Sequence, residues 1–221
     1  IPLCWFLKSK KIDVSANIKI KNTSLTEMVK LAFNTPSFIY LVLGFFVCGF
    51  HVAFITTHMP GVISSCGLNT NIAGWSIAFI GFFNIIGSLF AGWYISKRSM
   101  KNFLSYIYFS RAIIVLIFIV SPKDIYTVLI FSAALGFTYL STVPPTAALV
   151  GKMFGTRYMA TLFGITLFSH QVGGFIGAYL GGYFFTIFNN FDYFWILDAI
   201  LALFAAMIHL PIKEKSFLVR N

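Results

Sequence analysis

Six polar side chains interrupt stretches that are otherwise apolar: His51, Asn84, Arg111, Tyr139 and the adjacent His170 and Gln171. Each stands near the middle of a run long enough to cross a bilayer, so a helical rise of about 1.5 Å per residue places it at mid-membrane depth. Ionisable groups at that depth are costly and face water-filled interiors or partners. A guanidinium offers a carboxylate two parallel hydrogen bonds, so Arg111 is suited to anchor an organic anion. An imidazole exchanges protons near neutral pH, which suits proton coupling. His170 with Gln171, beside a run of glycines, is the leading pair for a cavity. His51 and His58 are seven residues apart and share a helical face, with His58 toward the outer mouth. The competing reading for each residue is a helix-to-helix hydrogen bond; for Arg111 that means capping a neighbour's carbonyls or pairing with Asp198.

The elements that must carry these residues follow from composition. Of 221 residues 58% are hydrophobic and 10% charged, with 27 Phe, whereas a soluble domain carries about 25% charged residues. A bilayer core of about 30 Å needs roughly 20 apolar residues per helix, and six runs reach that length: Phe38 to Thr57, Ile72 to Ile95, Phe103 to Val120, Ile125 to Val150, Met159 to Phe188 and Tyr193 to Leu210. Breakers mark the junctions: Pro36, "MPG" at Met59 to Gly61, "SPKD" at Ser121 to Asp124 and "NNFD" at Asn189 to Asp192. The expected architecture is all-α and polytopic, a six-helix transmembrane domain over residues 36–212.

Lys and Arg are retained in cytoplasmic loops. Fourteen of the sixteen fall before the first span, in alternate connections and in the tail; Lys123 stands alone on the other side, and Arg111 is within a span. Both ends are thus expected on the cytoplasmic side of a cell membrane. The net charge of +10 is a topology signal with room for anionic headgroups; nucleic acid is not an expected partner, because no soluble basic fold accompanies it. Residues 8–35 read as a basic cytoplasmic linker and 213–221 as a cytoplasmic tail. The opening "IPLCWFL", residues 1–7, fits the end of a preceding span, which makes the chain read as a piece of a longer one. Cys4, Cys48 and Cys66 lack ligand spacing and read as packing residues, so no metal site or cofactor is expected. No phosphate-cradling glycine loop and no paired mid-depth carboxylates support an enzyme.

Two backbone features bear on movement. Pro144 and Pro145 fall inside the fourth span, where a missing donor and ring clash kink a helix and free carbonyls toward a cavity, as a static bend or a hinge. Gly173, Gly177 and Gly181 recur every four residues in the fifth, a flat face for close helix approach or for sliding against a partner.

Four stretches carry a family resemblance: "GFFVCGFHVAFITTHMPG" from Gly44, "IGFFNIIGSLFAGW" from Ile80, "STVPPTAALVGKMFGTRYMATLFGITLFSHQVGGFIGAYLGG" from Ser141 and "IHLPIKE" from Ile208. The chain resembles the major facilitator superfamily, in its monocarboxylate-transporter-like branch. The resemblance implies the C-terminal half of a twelve-helix fold, with an N-terminal six-helix half as its missing partner, moving a small solute by alternating access. Within "GWYISKRSMK", Gly92, Lys97 and Lys101 match the family's gating-loop motif, while Ser96 replaces its usual acid. The resemblance also places Arg111 on an outer supporting helix of the half. Efflux of drugs or metabolites by the same fold, or a non-transporting six-helix scaffold, are the alternatives.

Overall fold

The computed structural model describes residues 23–218. The stub at 1–7, Cys4, the lysine-rich stretch through residue 22 and Arg220 lie outside the described residues. Eight helices follow in order: α1 Leu25–Phe33, α2 Pro36–Ser65, α3 Thr70–Ile95, α4 Met100–Val120, α5 Ile125–Thr138, α6 Val143–Phe154, α7 Met159–Phe188 and α8 Asp192–His209. With α5 and α6 taken as one broken span, six helices are long and apolar enough to cross a membrane. This is an all-helical architecture consistent with half of a major facilitator fold.

Local signals explain most boundaries. Asn69, Ser99 and Asp124 cap α3, α4 and α5 by accepting from backbone N–H groups of Asn71, Asn102 and Thr127. Asn189, in the left-handed region at φ 52°, ends α7. Two boundaries differ from the sequence expectation. The "MPG" tripeptide does not end the first span: α2 runs through Pro60 to Ser65. One proline removes one donor, while Met59, Val62 and Ile63 on the same stretch are buried and hold the helix on the core. Within the expected linker, α1 begins with a capping box: Ser24 N donates to Glu27 Oε2 at 2.8 Å and Glu27 N to Ser24 Oγ at 3.2 Å. The S-x-x-E pattern is the signal for it in the sequence, and Met28 and Ala32 bury the inner face of this helix.

The principal packing partners are α2 with α7, α4 with α8, and α3 with α5. The first pair is set by glycine. A Cβ at Gly173 or Gly177 would collide with the carbonyls of Phe46 or Phe50, and one at Gly49 with that of His170. Gly181 likewise leaves room for the rings of His58 and Phe54. The glycine face is therefore already occupied by α2 within this bundle, which removes it as a sliding surface for another half. The helices α3 and α7 are the least covered, and expose Phe82, Leu89 and Trp93 on one and Phe168, Phe175 and Tyr179 on the other.

Among the described residues the core has two large apolar clusters and a small third one of Ala91, Phe103 and Ile107. One of the large clusters, around Phe54, Met59, Phe118, Phe131, Phe194 and Trp195, fills the end expected outside. The other, around Phe38, Phe45, Leu104, Phe154 and Ile212, fills the basic end. There the chain after α8 folds back over the bundle. Glu214 accepts from Ser99 Oγ at 2.7 Å, Lys101 N at 2.8 Å and Lys152 Nζ at 3.1 Å, while Phe217 N donates to the Met153 carbonyl at 2.9 Å. The carboxylate thus sits on the positive N-terminus of α4. Partial burial opposes its ionisation, but the Lys101 N–H, the Ser99 hydroxyl and Lys152 together hold its carboxyl below the usual carboxylate range. A lowered folded-state value means that the stabilisation is complete above the ordinary carboxylate range and is lost as pH falls through the lowered one. The protection of residues 213–217 against hydrogen exchange, taken relative to the intrinsic rate at each pH, should therefore be high at neutral pH and fall on acidification. Glu214→Gln should show the reduced protection already at neutral pH.

Candidate functional site

His51, Asn84, Arg111, Tyr139, His170 and Gln171 each fall near the midpoint of their span. The organising feature is the interruption between α5 and α6. Pro144 and Pro145 do not kink a continuous helix. They occupy the first turn of α6, where N–H groups have no intrahelical partner, so their missing donors cost little. The consequence falls on the residues before them. Tyr139 N turns back to the Gly136 carbonyl at 3.1 Å and Val143 N to that of Leu140 at 3.0 Å. The Thr138 and Tyr139 carbonyls, and the Leu140 N–H, are left without their regular helical partners.

Side chains from other helices take these groups. Arg111 on α4, 1% exposed, donates through Nη2 to the carbonyls of Thr138 and of Tyr139, the latter at 3.0 Å. Asn84 on α3 accepts from Leu140 N at 3.1 Å through Oδ1. The Tyr139 hydroxyl donates to the Val52 carbonyl on α2 at 2.9 Å. Cys48 Sγ and Thr142 Oγ1 share a contact of 3.2 Å, so this cysteine does more than fill space. Three transmembrane helices hold one interruption. The freed carbonyls meet a guanidinium and not a cavity, which corrects the expectation drawn from the two prolines.

Arg111 does not pair with Asp198. The carboxylate of Asp198 on α8 contacts Nδ1 of His51, both residues being 2% exposed. Nε2 of His51 and the Nε and Nη1 atoms of Arg111 are buried without a hydrogen-bond partner. Beneath Arg111 lies the Tyr108 ring at 5.4 Å, whose hydroxyl donates to the Gly44 carbonyl at 2.8 Å.

The remaining residues lie at the edge of this network or beyond it, His170 being the nearest, beside Cys48. His170 is half-buried against the Phe45 ring at 5.0 Å, and its Nδ1 donates to Gln171 Oε1 at 3.2 Å; Gln171 is exposed on α7. His58 does not line an open mouth: its Nε2 donates to the Ala178 carbonyl at 2.8 Å. His209 is buried, stacked on Tyr108 at 5.0 Å and admitted by the absence of a side chain at Gly44. Of the gating-loop residues, Lys101 Nζ donates to the Leu210 carbonyl at 2.8 Å, Lys97 lies 5.0 Å over Trp93, and Gly92 faces open space. The missing acid at Ser96 coincides with Glu214 arriving from the tail.

A bundle of membrane-spanning helices around a broken span at mid-depth is the architecture of a polytopic carrier domain. Residues 1–178 match the family model described as Major Facilitator Superfamily, and the chain belongs to that superfamily. It is 30% identical over 158 residues to the uncharacterized MFS-type transporter YcxA of Bacillus subtilis (strain 168). The aligned stretch covers 68% of this chain and 38% of that protein.

An orphaned buried acceptor costs about 1–3 kcal/mol, and lysine keeps the charge of Arg111 but loses its planar fork. Arg111→Gln and Arg111→Lys should both lower thermal stability by about 1–3 kcal/mol, whatever solute is offered, and Asn84→Ala should follow in the same direction. Thermal unfolding of the purified protein checks this. A fully stable Arg111→Gln protein that had lost only anion transport would move Arg111 into a binding site.

Proposed function

We propose that the chain is the C-terminal half of a secondary active transporter that moves a small organic anion, such as a monocarboxylate, across the cell membrane by alternating access, in symport with protons. The observation that carries this reading is the polar layer around the α5–α6 interruption, because a carrier needs a span able to bend at the depth where solute binds. Family membership supports the transport class. The resemblance to the monocarboxylate-type branch, with a fixed positive charge at mid-depth, supports the anion.

The missing partner is a six-helix half docked on the outward faces of α3 and α7. In that assembly the half-buried His170 and the exposed Gln171, at mid-depth on α7 and carried on a backbone locked to α2, contact the solute from this side. The fourteen-to-one distribution of Lys and Arg supports both ends lying there.

Residues 1–221 alone should therefore move no solute in proteoliposomes, and co-expression with a six-helix partner half should restore uptake of a labelled monocarboxylate. Robust uptake by the monomeric chain alone would remove the half-carrier reading. Extrusion of an amphipathic dye in place of anion uptake would assign the efflux function instead. For orientation, in a background without native thiols, a cysteine at Thr70 should be labelled from outside and one at Arg98 only from inside; the reverse pattern would overturn the charge argument.

A further inference from the structure

We propose that His51, Asp198 and Arg111 form a proton-binding site inside the six-helix bundle itself, distinct from the half-buried His170 and the exposed Gln171 on α7, and that its occupancy bears on the α5–α6 interruption through Arg111. The assignment of this site as the coupling site rests on the carrier reading; the proton site itself is a property of the chain.

Three observations converge. First, the His51 ring and the Asp198 carboxylate touch while almost wholly withdrawn from solvent and lipid. An ionised carboxylate against a bare ring nitrogen would oppose two acceptors, so a neutral ring carries its hydrogen on Nδ1, toward Asp198, in a close contact that does not have regular hydrogen-bond geometry. That leaves the Nε2 lone pair as the basic valence, and Nε2 is buried with no partner. Buried polar atoms are almost always satisfied, so an orphan at this position points to an unmet valence. Second, among the described residues Asp198 is the carboxylate placed at mid-depth, the others, Glu27, Asp124, Asp192 and Glu214, standing at helix ends or beyond them. Third, Arg111 lies within Coulombic reach of His51 and is hydrogen-bonded to the two carbonyls that open the interruption.

The charge balance gives the coupling. With His51 neutral, Asp198 offsets Arg111 and the layer is neutral. A proton from the aqueous side forms an N–H bond at Nε2, no other bond breaks, and the pair behaves as one coupled group. The imidazolium and Asp198 then balance each other, and the layer gains one positive charge beside Arg111. Since Arg111 holds the Thr138 and Tyr139 carbonyls, repulsion from the new charge acts on the clamp of the hinge. The other titratable groups around the layer are Tyr108 on α4, Tyr139 at the interruption, Cys48 on α2 and His170 on α7 beyond it. None of them offers a carboxylate to the His51 ring.

The test is infrared difference spectroscopy of the full chain in lipid, stepped across the histidine range between about pH 5 and 8. Exposed carboxylates stay ionised through most of that range, so a carboxylate stretch that shifts with a histidine midpoint reports one touching a titrating ring. The shift is expected in the wild type, absent in Asp198→Asn, frozen in His51→Gln and unchanged in His170→Gln. If neither of the first two variants folds, the wild type decides: a carboxylate shift with a histidine midpoint upholds the site, and its absence overturns it. A shift that survives in folded His51→Gln also overturns it. Failure of transport by the chain co-expressed with a six-helix partner half, with the shift intact, would sink the carrier reading alone, whereas proton-driven uptake by that pair without the shift would sink this inference alone.

Discussion

In hydrocarbon every backbone N–H and C=O must find a partner within the protein, because water is not there to supply one. That constraint makes the interruption at residues 139–142 the feature on which the middle of the bundle depends. A helix can be broken at mid-depth only if other helices present groups to the broken ends, and here each does so with a different chemistry. Arg111 brings a charged donor for two carbonyls, Asn84 an acceptor for one N–H, and Tyr139 reaches back to the α2 backbone. Half of the residues that look from sequence like a solute-binding set, Asn84, Arg111 and Tyr139, are the ones that make the interruption tolerable in lipid.

This division sets what is legible in the sequence. The spans are visible because a run of about twenty apolar residues matches the thickness of a bilayer core, and five of the six expected runs correspond to single helices. The fourth shows the limit. "TVPP" announces a bend, but whether prolines kink a helix or start a new one depends on whether the preceding carbonyls find donors elsewhere, and that is decided by Arg111 on another helix. The partner of Arg111 is unreadable for a similar reason. Charge alone favours Asp198, while the fold places His51 against Asp198 and leaves the guanidinium facing carbonyls. His209 looks interfacial from its place beside Pro211, yet a glycine on α2, distant in sequence, admits it to the core. The capping box of α1 is readable from four residues, but it lies at the end of a stretch whose lysines dominate the local composition.

The two ends of the bundle are stabilised differently. The end opposite the basic one rests on stacked aromatics, with the rings of Phe54 and Phe194 only 3.8 Å apart. The basic end combines an apolar cluster with the carboxylate of Glu214, which reaches the starts or ends of helices far apart in sequence. Between them lies a thin polar stratum rather than a continuous core. Packing of the two apolar regions is thus separable from the interactions that hold the interruption.

The glycine seam between α2 and α7 has a mechanical meaning. Where helices meet through long side chains, rotamer changes absorb small displacements; where carbonyl oxygens rest against Cα atoms, there is little left to compress. Helices joined this way behave as a single rigid strut, so a push on the exposed polar pair of α7 is delivered undamped to the backbone of α2, on which Cys48 and His51 stand beside the interruption.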